Sequence, residues 1–567
     1  MQTLKKGMLI VLTLLALQAC KKEKGKGPGT DPDTDGEDTE TDTGTPFTKK
    51  PDDPALAATI GFFSETWQPK TFSVATTTNA TKPTSAAATT ITINMGQVIS
   101  KVLPTLFGNN ANPYMGQFTD VTLIDHIRML APHVIRAPGG SISDIYFFNM
   151  AEGQKPDDAP SQLLDDLGNA KNESYWVGKN TASWTLSIDN YYRMLQQTSS
   201  TGTIVVNYGY ARYGTSADPV KAAAHLAAQW VRYDNGRTKY WEVGNENFGV
   251  WEAGYRINTA NNKDGQPEIL TGTLYGSHFK IFADSMRKAA ADVGAEIKIG
   301  AVLVDGEPVN NPTIIKNWNA QVLGQAGNSP DFFIVHSYYT PYNSNSSPDI
   351  ILPTAVNESK AITDYVKASV QTAGVTQKPI ALTEWNINAV GSKQMVSNIS
   401  GLHAVMVLGE LIKNEYGMAA RWDFANGWDN GNDHGLFNNP SGSGPGESAW
   451  NPRPAFYYMY YFQKFFGDRM VPTSGVVLVN KGTADQVINI KINNFDAGTN
   501  YYYYTLNGGT DNGSFSAQMF VNGIKPTGAT GGPLNYNTIA PYKAPVSGGI
   551  KVTVPTYGAV FLVVDNK

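Results

Sequence analysis

Eight short apolar runs, each closing on polar or glycine-rich residues and followed by a longer stretch with helical spacing, constrain this chain more than any single motif. They are Val102 to Phe107, His133 to Ala137, Thr203 to Tyr208, Lys239 to Glu246, Ile297 to Val304, Phe332 to Tyr338, Pro379 to Trp385 and Ala419 to Phe424. Runs of this length without strict alternation suit strands buried on both faces, the condition of a parallel sheet covered by helices. The intervening stretches carry helix signals. Asp218-Pro219 is an N-cap followed by proline at the first helical position, and Val220, Ala224, Ala227 and Val231 recur at helical spacing. Leu402, Val405, Leu408 and Ile412 share one side of a segment that begins at Ser400 and closes at Gly417, and Leu274 to Val293 behaves similarly. Eight such units predict a closed (β/α)8 TIM barrel. An open doubly wound sheet is the other arrangement, and the absence of a Gly-rich nucleotide loop after the first run argues against it.

A barrel turns the C-terminal end of every strand to one mouth. Two strand ends carry glutamate: Asn245-Glu246 closes the fourth run and Thr383-Glu384 the seventh. Cleaving a glycosidic bond builds positive charge at the anomeric carbon and negative charge on the leaving oxygen. One carboxyl must therefore be protonated while the other is ionised. The remaining polar tips are Arg136, Asn207, Tyr208, His336, Tyr338, Trp422, Asp423 and Asn426. A mouth of that composition suits a polyhydroxylated ligand. Glu242, four residues back along its strand, lies about 13 Å below the tip at the usual rise and reads as a structural ion-pair partner. His336 has no His or Cys at ligand spacing, so a zinc site is not expected. Asp423, Asp429, Asp433 and His434 form a polar cluster in the last loop, suited to a cation or sugar, with an ordinary hydrogen-bonded loop as the plainer reading.

The ends of the chain differ from its middle. Lys5 and Lys6, the apolar run Met8 to Leu17 and then Gln18-Ala19-Cys20 describe an export signal too short to span a membrane. Leu17-Gln18-Ala19-Cys20 resembles the bacterial lipoprotein signal, which makes Cys20, the chain's single cysteine, the expected lipidation site. Residues 1–20 are thus read as signal peptide and residues 21–56 as a disordered acidic tether, which together anchor the protein to a bacterial membrane, the outer membrane above all. Residues 57–98 form an N-terminal segment that includes Phe62, Phe63 and Trp67 and a strand at Thr90 to Gly96. Residues 99–447 form the barrel. Residues 448–567 alternate in short β-rich runs with Asn507-Gly508-Gly509 and Asp511-Asn512-Gly513 as turns, and read as a β-sandwich that the Thr90 strand joins. The net charge of −5 is dispersed, without a basic footprint for nucleic acid.

Four motifs in order, Val134-Ile135-Arg136-Ala137-Pro138-Gly139-Gly140, Trp241 to Gly249, His336-Ser337-Tyr338-Tyr339 and Thr383-Glu384-Trp385-Asn386, resemble the clan A retaining glycoside hydrolases. Family 51 α-L-arabinofuranosidases are nearest in likeness, with families 39, 30 and 79 close. The resemblance runs from about Thr90 to the C-terminus. It implies that Glu246 is the acid/base and Glu384 the nucleophile, that Asn245 bonds the hydroxyl beside the anomeric carbon, that Arg136 and Tyr338 hold and ionise Glu384, that His336 lines the site near Glu246, and that Trp422 or Trp428 gives a sugar platform. By charge pairing, Arg136 is expected to lower the Glu384 pKa. Thr383 departs from the family, which usually places an acidic residue there, and Ala137 and Ser141 replace larger or amide residues. No cofactor or catalytic metal is implied. The expected partner is a polysaccharide or oligosaccharide, first an α-L-arabinofuranoside; the alternatives are an endo-acting hydrolase of xylan, β-glucan or algal galactan, or a non-catalytic glycan-binding lipoprotein.

Overall fold

The computed structural model describes residues 51–73, 76–309, 311–390, 394–426, 433–439, 448–471 and 477–566. Eight parallel strands close into a barrel. In chain order they are β1 (Gly108–Asn110), β2 (Val134–Ala137), β3 (Thr201–Val206), β4 (Tyr240–Val243), β5 (Lys298–Val302), β6 (Phe332–Tyr338), β7 (Ile380–Asn386) and β8 (Met418–Arg421), with β8 pairing β1 to complete the ring. Seven of the eight runs hold a barrel strand. The first does not. Leu103 and Leu106 are buried, but the chain there makes a 3-10 turn over Pro104–Leu106, and the strand begins only at Gly108. Proline lacks the N–H a ladder needs, which bars the middle of that run from the sheet. Gly108 takes the place beside β8 because a Cβ would stand 2.3 Å from the Ala419 carbonyl oxygen.

The helices follow their caps. Pro219–Asp234 begins where the Asp218 side chain accepts from the Lys221 N–H, and ends at Asn235 in the left-handed region. Asn398–Lys413 starts at Ser397, whose hydroxyl accepts from the Ser400 N–H, and stops at Asn414, before the expected Gly417. Gly272–Asp292 is close to its expected span.

The N-terminal segment closes the floor of the barrel. Ile60 and Phe63 are buried, Ile380 N–H donates to the Thr59 carbonyl at 2.9 Å, and Phe62 and Phe63 pack against Tyr240 and Phe332 at the N-terminal ends of β4 and β6. Order begins before the expected end of the tether: Asp53 pairs with Arg469 at 2.6 Å and Lys101 at 3.1 Å. At the other end of the chain lie a six-stranded sheet and a three-stranded sheet. Thr89–Asn94 pairs in parallel with Gln486–Asn493, and Thr78–Asn79 with Tyr542–Pro545, so the N-terminal segment gives a strand to each. Ile93, Ile488, Ile490 and Val552 of the smaller sheet share one apolar cluster with Tyr501, Val560 and Leu562 of the larger. No helix among the described residues is long and apolar enough to cross a membrane. Cys20 and the segments read as signal and most of the tether lie outside the described residues.

Candidate active site

At the top of β4 the chain passes through Gly244 (φ +78°), Asn245 and Glu246 (φ +41°). Position 244 admits only glycine, since φ is positive and a Cβ would stand 2.0 Å from the Asn247 side-chain oxygen. Glu246 itself adopts the left-handed region, a conformation that costs a side-chain residue about 1–2 kcal/mol. The turn sets its Oε1 3.0 Å from His336 Nδ1 on β6. Trp251, five residues on and half exposed, donates its indole N–H to Oε2 at 3.2 Å.

Glu384 on β7 is held differently. Tyr338 donates its hydroxyl to Oε1 at 2.7 Å, and Arg136 Nη1 donates to Oε2 at 3.2 Å. Arg136 is fully buried on β2, and its planar fork also reaches Glu242 at 2.9 Å, Asn110 at 2.9 Å and Asn245 at 3.0 Å. A buried guanidinium needs such partners, because an unpaired charge away from water costs several kcal/mol. Glu242 thus serves as the expected ion-pair partner below the mouth, and Arg136 links it to Glu384.

His336 sits between the two glutamates, with Nδ1 3.7 Å from Glu384 Oε2. Burial pushes its pKa down to about 4, so the ring is neutral near pH 7. Its Nε2 faces Arg136 Nη2 at 3.4 Å and the Thr383 hydroxyl at 3.2 Å. A guanidinium can only donate, which assigns the ring proton to Nδ1 and makes His336 a donor to Glu246. The departure at Thr383 fits this state: a neutral hydroxyl there does not draw a second proton onto the ring.

Burial pushes the Glu246 carboxyl up to about 7, opposed by the Trp251 bond and the more distant Arg136. Glu384 is also raised, chiefly by burial, and this corrects the expected lowering. The Arg136 charge and the Tyr338 bond do act downward, but they do not outweigh the loss of water around a nearly enclosed carboxyl.

The structure therefore gathers Glu246, Glu384, Asn245, Arg136, His336 and Tyr338 at one end of the barrel. Asn245 spans Arg136 and Glu252, to which its Nδ2 donates at 3.0 Å. Asn207 is drawn elsewhere: its amide bonds the Tyr146 carbonyl, Tyr213 hydroxyl and Tyr210 N–H, organising the connection after β3. Trp422 is half buried and its indole lies against Gly140, with no room there for a Cβ. Trp428 and Asp429 lie outside the described residues. Sequence patterns do not point to Asn110, because the apolar run before it resembles the strand, nor to Trp251 and Glu252, which sit in a loop whose fold back onto Glu246 has no local signature. Nor do they point to Asp144; it accepts from the N–H groups of Tyr208, Gly209 and Asn245 and from the Asn247 amide, tying the β2, β3 and β4 exits together.

No family model and no curated protein matches this sequence. Solved structures do match its fold. The α-L-arabinofuranosidase from Thermotoga maritima, solved as an arabinose complex, is 15% identical with a TM-score of 0.55, covering 84% of this chain and 99% of its own. The family 51 α-L-arabinofuranosidase from Thermotoga petrophila RKU-1 is 16% identical with a TM-score of 0.57, over 84% and 99% of the two chains. A monomeric β-xylosidase from Caulobacter crescentus CB15 is 12% identical with a TM-score of 0.51, over the same 84% and 99%. The chain shares the fold of these enzymes, and a family 39 enzyme from Xanthomonas axonopodis pv. citri is also among its structural neighbours.

Proposed function

We propose that this chain is a retaining glycoside hydrolase, with an α-L-arabinofuranoside as its first candidate substrate. The observation that carries the reading is a distance. One oxygen of Glu246, one of Glu384 and a ring nitrogen of His336 all lie within 4.8 Å of one another. Double displacement uses carboxyl groups about 5–5.5 Å apart, whereas inversion needs about 6.5–9.5 Å to admit a water between them and the sugar. Glu384 attacks the anomeric carbon while Glu246 gives its proton to the departing oxygen. A covalent glycosyl-enzyme forms, and Glu246, now ionised, takes a proton from the water that releases the sugar. Arg136 and Tyr338 both favour the ionised form of Glu384, against the burial that raises its pKa. His336, a neutral donor, orients Glu246 without fixing its charge.

The arabinofuranoside reading rests on the family 51 likeness. The bifunctional glucanase-xylanase CelM2, 13% identical with a TM-score of 0.50, keeps an endo-acting hydrolase of xylan or β-glucan as the second reading. We further read the two terminal sheets as the layers of a β-sandwich bracing the barrel, and Cys20 as a lipid anchor that holds the enzyme on a bacterial membrane. The test is hydrolysis of an aryl glycoside series, α-L-arabinofuranoside first, beside plant and algal polysaccharides, with product anomers read by NMR and Glu246→Ala and Glu384→Ala as controls. Release of sugar with retained configuration, abolished by both substitutions, is expected. If the wild type releases nothing while Glu384→Gln binds glycan, the protein is a binding protein instead.

A further inference from the structure

Trp251 occupies a place in the site that the proposed reaction leaves unused. Its indole N–H donates to Glu246 Oε2 at 3.2 Å, while His336, between the two glutamates, holds the other oxygen at 3.0 Å. The side chain is nevertheless 47% exposed. A lone exposed apolar side chain is common and needs no explanation. What sets this one apart is how firmly it is held. Gly249 N–H donates to the Glu246 carbonyl at 2.7 Å, so one tight turn separates the carboxyl from the indole. Ile315 N–H donates to the Phe248 carbonyl at 2.8 Å and Val250 N–H to the Thr313 carbonyl at 2.9 Å, which pins that turn to the connection after β5. The ring lies over Gly249: a Cβ there would stand 2.4 Å from both Cε2 and Cζ2 and 2.7 Å from Cδ2, atoms that an approach to the ring face meets together. Phe248 meets the indole edge-on, with 6.1 Å between centroids.

One face of the indole is thus covered and the remaining half of the side chain is left in solvent beside the proton donor. A general acid works at about 2.6–3.2 Å from the oxygen it protonates. The departing oxygen and the indole nitrogen are therefore hydrogen-bond neighbours of one carboxyl, and whatever that oxygen carries must lie beside the indole. The cleaved sugar does not take this place in the proposed reaction, because it is held between Glu246 and Glu384. The free indole face is apolar, with a negative quadrupole, and its one N–H is already bonded to Glu246. Such a face suits the C–H edge of a sugar ring or an aryl ring, and offers little to a small alcohol.

We propose that Trp251 is the platform for the leaving group, and that the substrate carries a second sugar ring on that side: a linkage within a glycan, not the glycoside of a small alcohol. This rests on the hydrolase reading above and not on which sugar is cleaved. The same platform receives an acceptor in the reverse approach. The acceptor hydroxyl oxygen attacks the anomeric carbon of the glycosyl ester, the bond to Glu384 breaks and its electron pair returns to that carboxylate, and the hydroxyl proton passes to Glu246. Partition of the glycosyl-enzyme is the test. A cleaved 4-nitrophenyl glycoside of the series above serves as donor for the wild type, Trp251→Ala and Trp251→Phe. Transfer to methyl β-D-xylopyranoside, methyl β-D-galactopyranoside and methyl β-D-glucopyranoside is compared with transfer to glycerol, which has hydroxyls and no ring. The wild type should prefer at least one pyranoside. In Trp251→Ala that preference should fall by at least about fivefold, the order expected of one lost ring face. Trp251→Phe keeps a flat ring without the N–H and should retain most of the preference. Glu246 deprotonates every acceptor, so an effect of Trp251 through that carboxyl alone would change all transfers alike and leave the preference intact. Trp251→Leu, apolar without a flat face, stands in for alanine if melting curves show that Trp251→Ala does not fold. The platform is refuted if the wild type transfers to glycerol as readily as to every pyranoside, if Trp251→Ala keeps the preference, or if Trp251→Phe loses it as fully as alanine does. Turnover with an unchanged preference removes the platform and keeps the enzyme, whereas a protein that cleaves no glycoside removes both.

Discussion

Glu246 and Glu384 are the same residue type at the ends of strands in one barrel, yet their surroundings differ in kind. Glu384 touches a cation and a phenol, both of which favour its ionised form. Among the described residues, the Glu246 carboxyl bonds two neutral N–H donors, from His336 and Trp251. Burial raises both carboxyls, so what distinguishes them is their partners and not their burial. Under the proposed reading, a cation and a phenol beside one carboxyl and neutral donors beside the other are what separate nucleophile from acid.

The largest expected effects test that assignment directly. Glu384→Ala should lower kcat/KM by more than about 10⁴-fold on every substrate, because no bond to the anomeric carbon can form. Glu246→Ala should lose about 10²–10⁴-fold with a sugar or alcohol leaving group, the usual worth of a general acid. With a dinitrophenyl glycoside, whose leaving oxygen needs no proton, the first step should be nearly normal in Glu246→Ala. Pre-steady-state kinetics on both substrates check this. If Glu384→Ala were the variant rescued by the better leaving group, the two roles would be exchanged.

A second contrast separates mouth from floor. Phe63→Ala removes a fully buried ring beneath β4 and β6 and should cost about 3–5 kcal/mol of stability in urea unfolding. It should leave kcat/KM unchanged at temperatures where the protein stays folded. A loss of activity without loss of stability would mean that the floor and the mouth are coupled.

Smaller effects sharpen the comparison through pH. The kcat/KM profile should fall above about pH 7 as Glu246 loses its proton and fall on the acid side as Glu384 gains one. Tyr338→Phe removes a donor to ionised Glu384, raises its pKa and should move the acid limb up by about one unit, equivalent to about 1.4 kcal/mol. Trp251→Phe removes a donor to ionised Glu246 and should move the alkaline limb up instead. Movement of the same limb by both substitutions would dissolve the distinction between the glutamates. The smallest effect is expected at the solvent-exposed Arg232–Asp292 pair, where Arg232→Ala should change stability by no more than about 1 kcal/mol, in contrast to the enclosed Arg136 pairs.

Much of this arrangement is legible in the sequence. Apolar runs separated by helix-length stretches report a periodic architecture, and glutamates at run ends report a mouth, because both depend on local pattern. The position of β1 was not legible. An apolar run looked like the strand, but Pro104 cannot pair inside a sheet, and the true strand is the polar Gly108–Asn110, selected by close approach to β8. Asn207 looked like a site residue from its place at a strand end; its partners, Tyr146, Tyr210 and Tyr213, are set by a loop conformation that spacing does not encode.

By itself the sequence determined the number and order of barrel units, the two glutamates and the buried arginine, since strand periodicity and residue chemistry are properties of short segments. Only the tertiary structure decided the rest. The separation of the carboxyls, the neutral state of His336 and the upward shift of Glu384 all depend on which distant segments meet and exclude water. Electrostatic energies and hydrogen-bond completion are set by neighbours across the fold, and those neighbours are fixed only when the barrel closes.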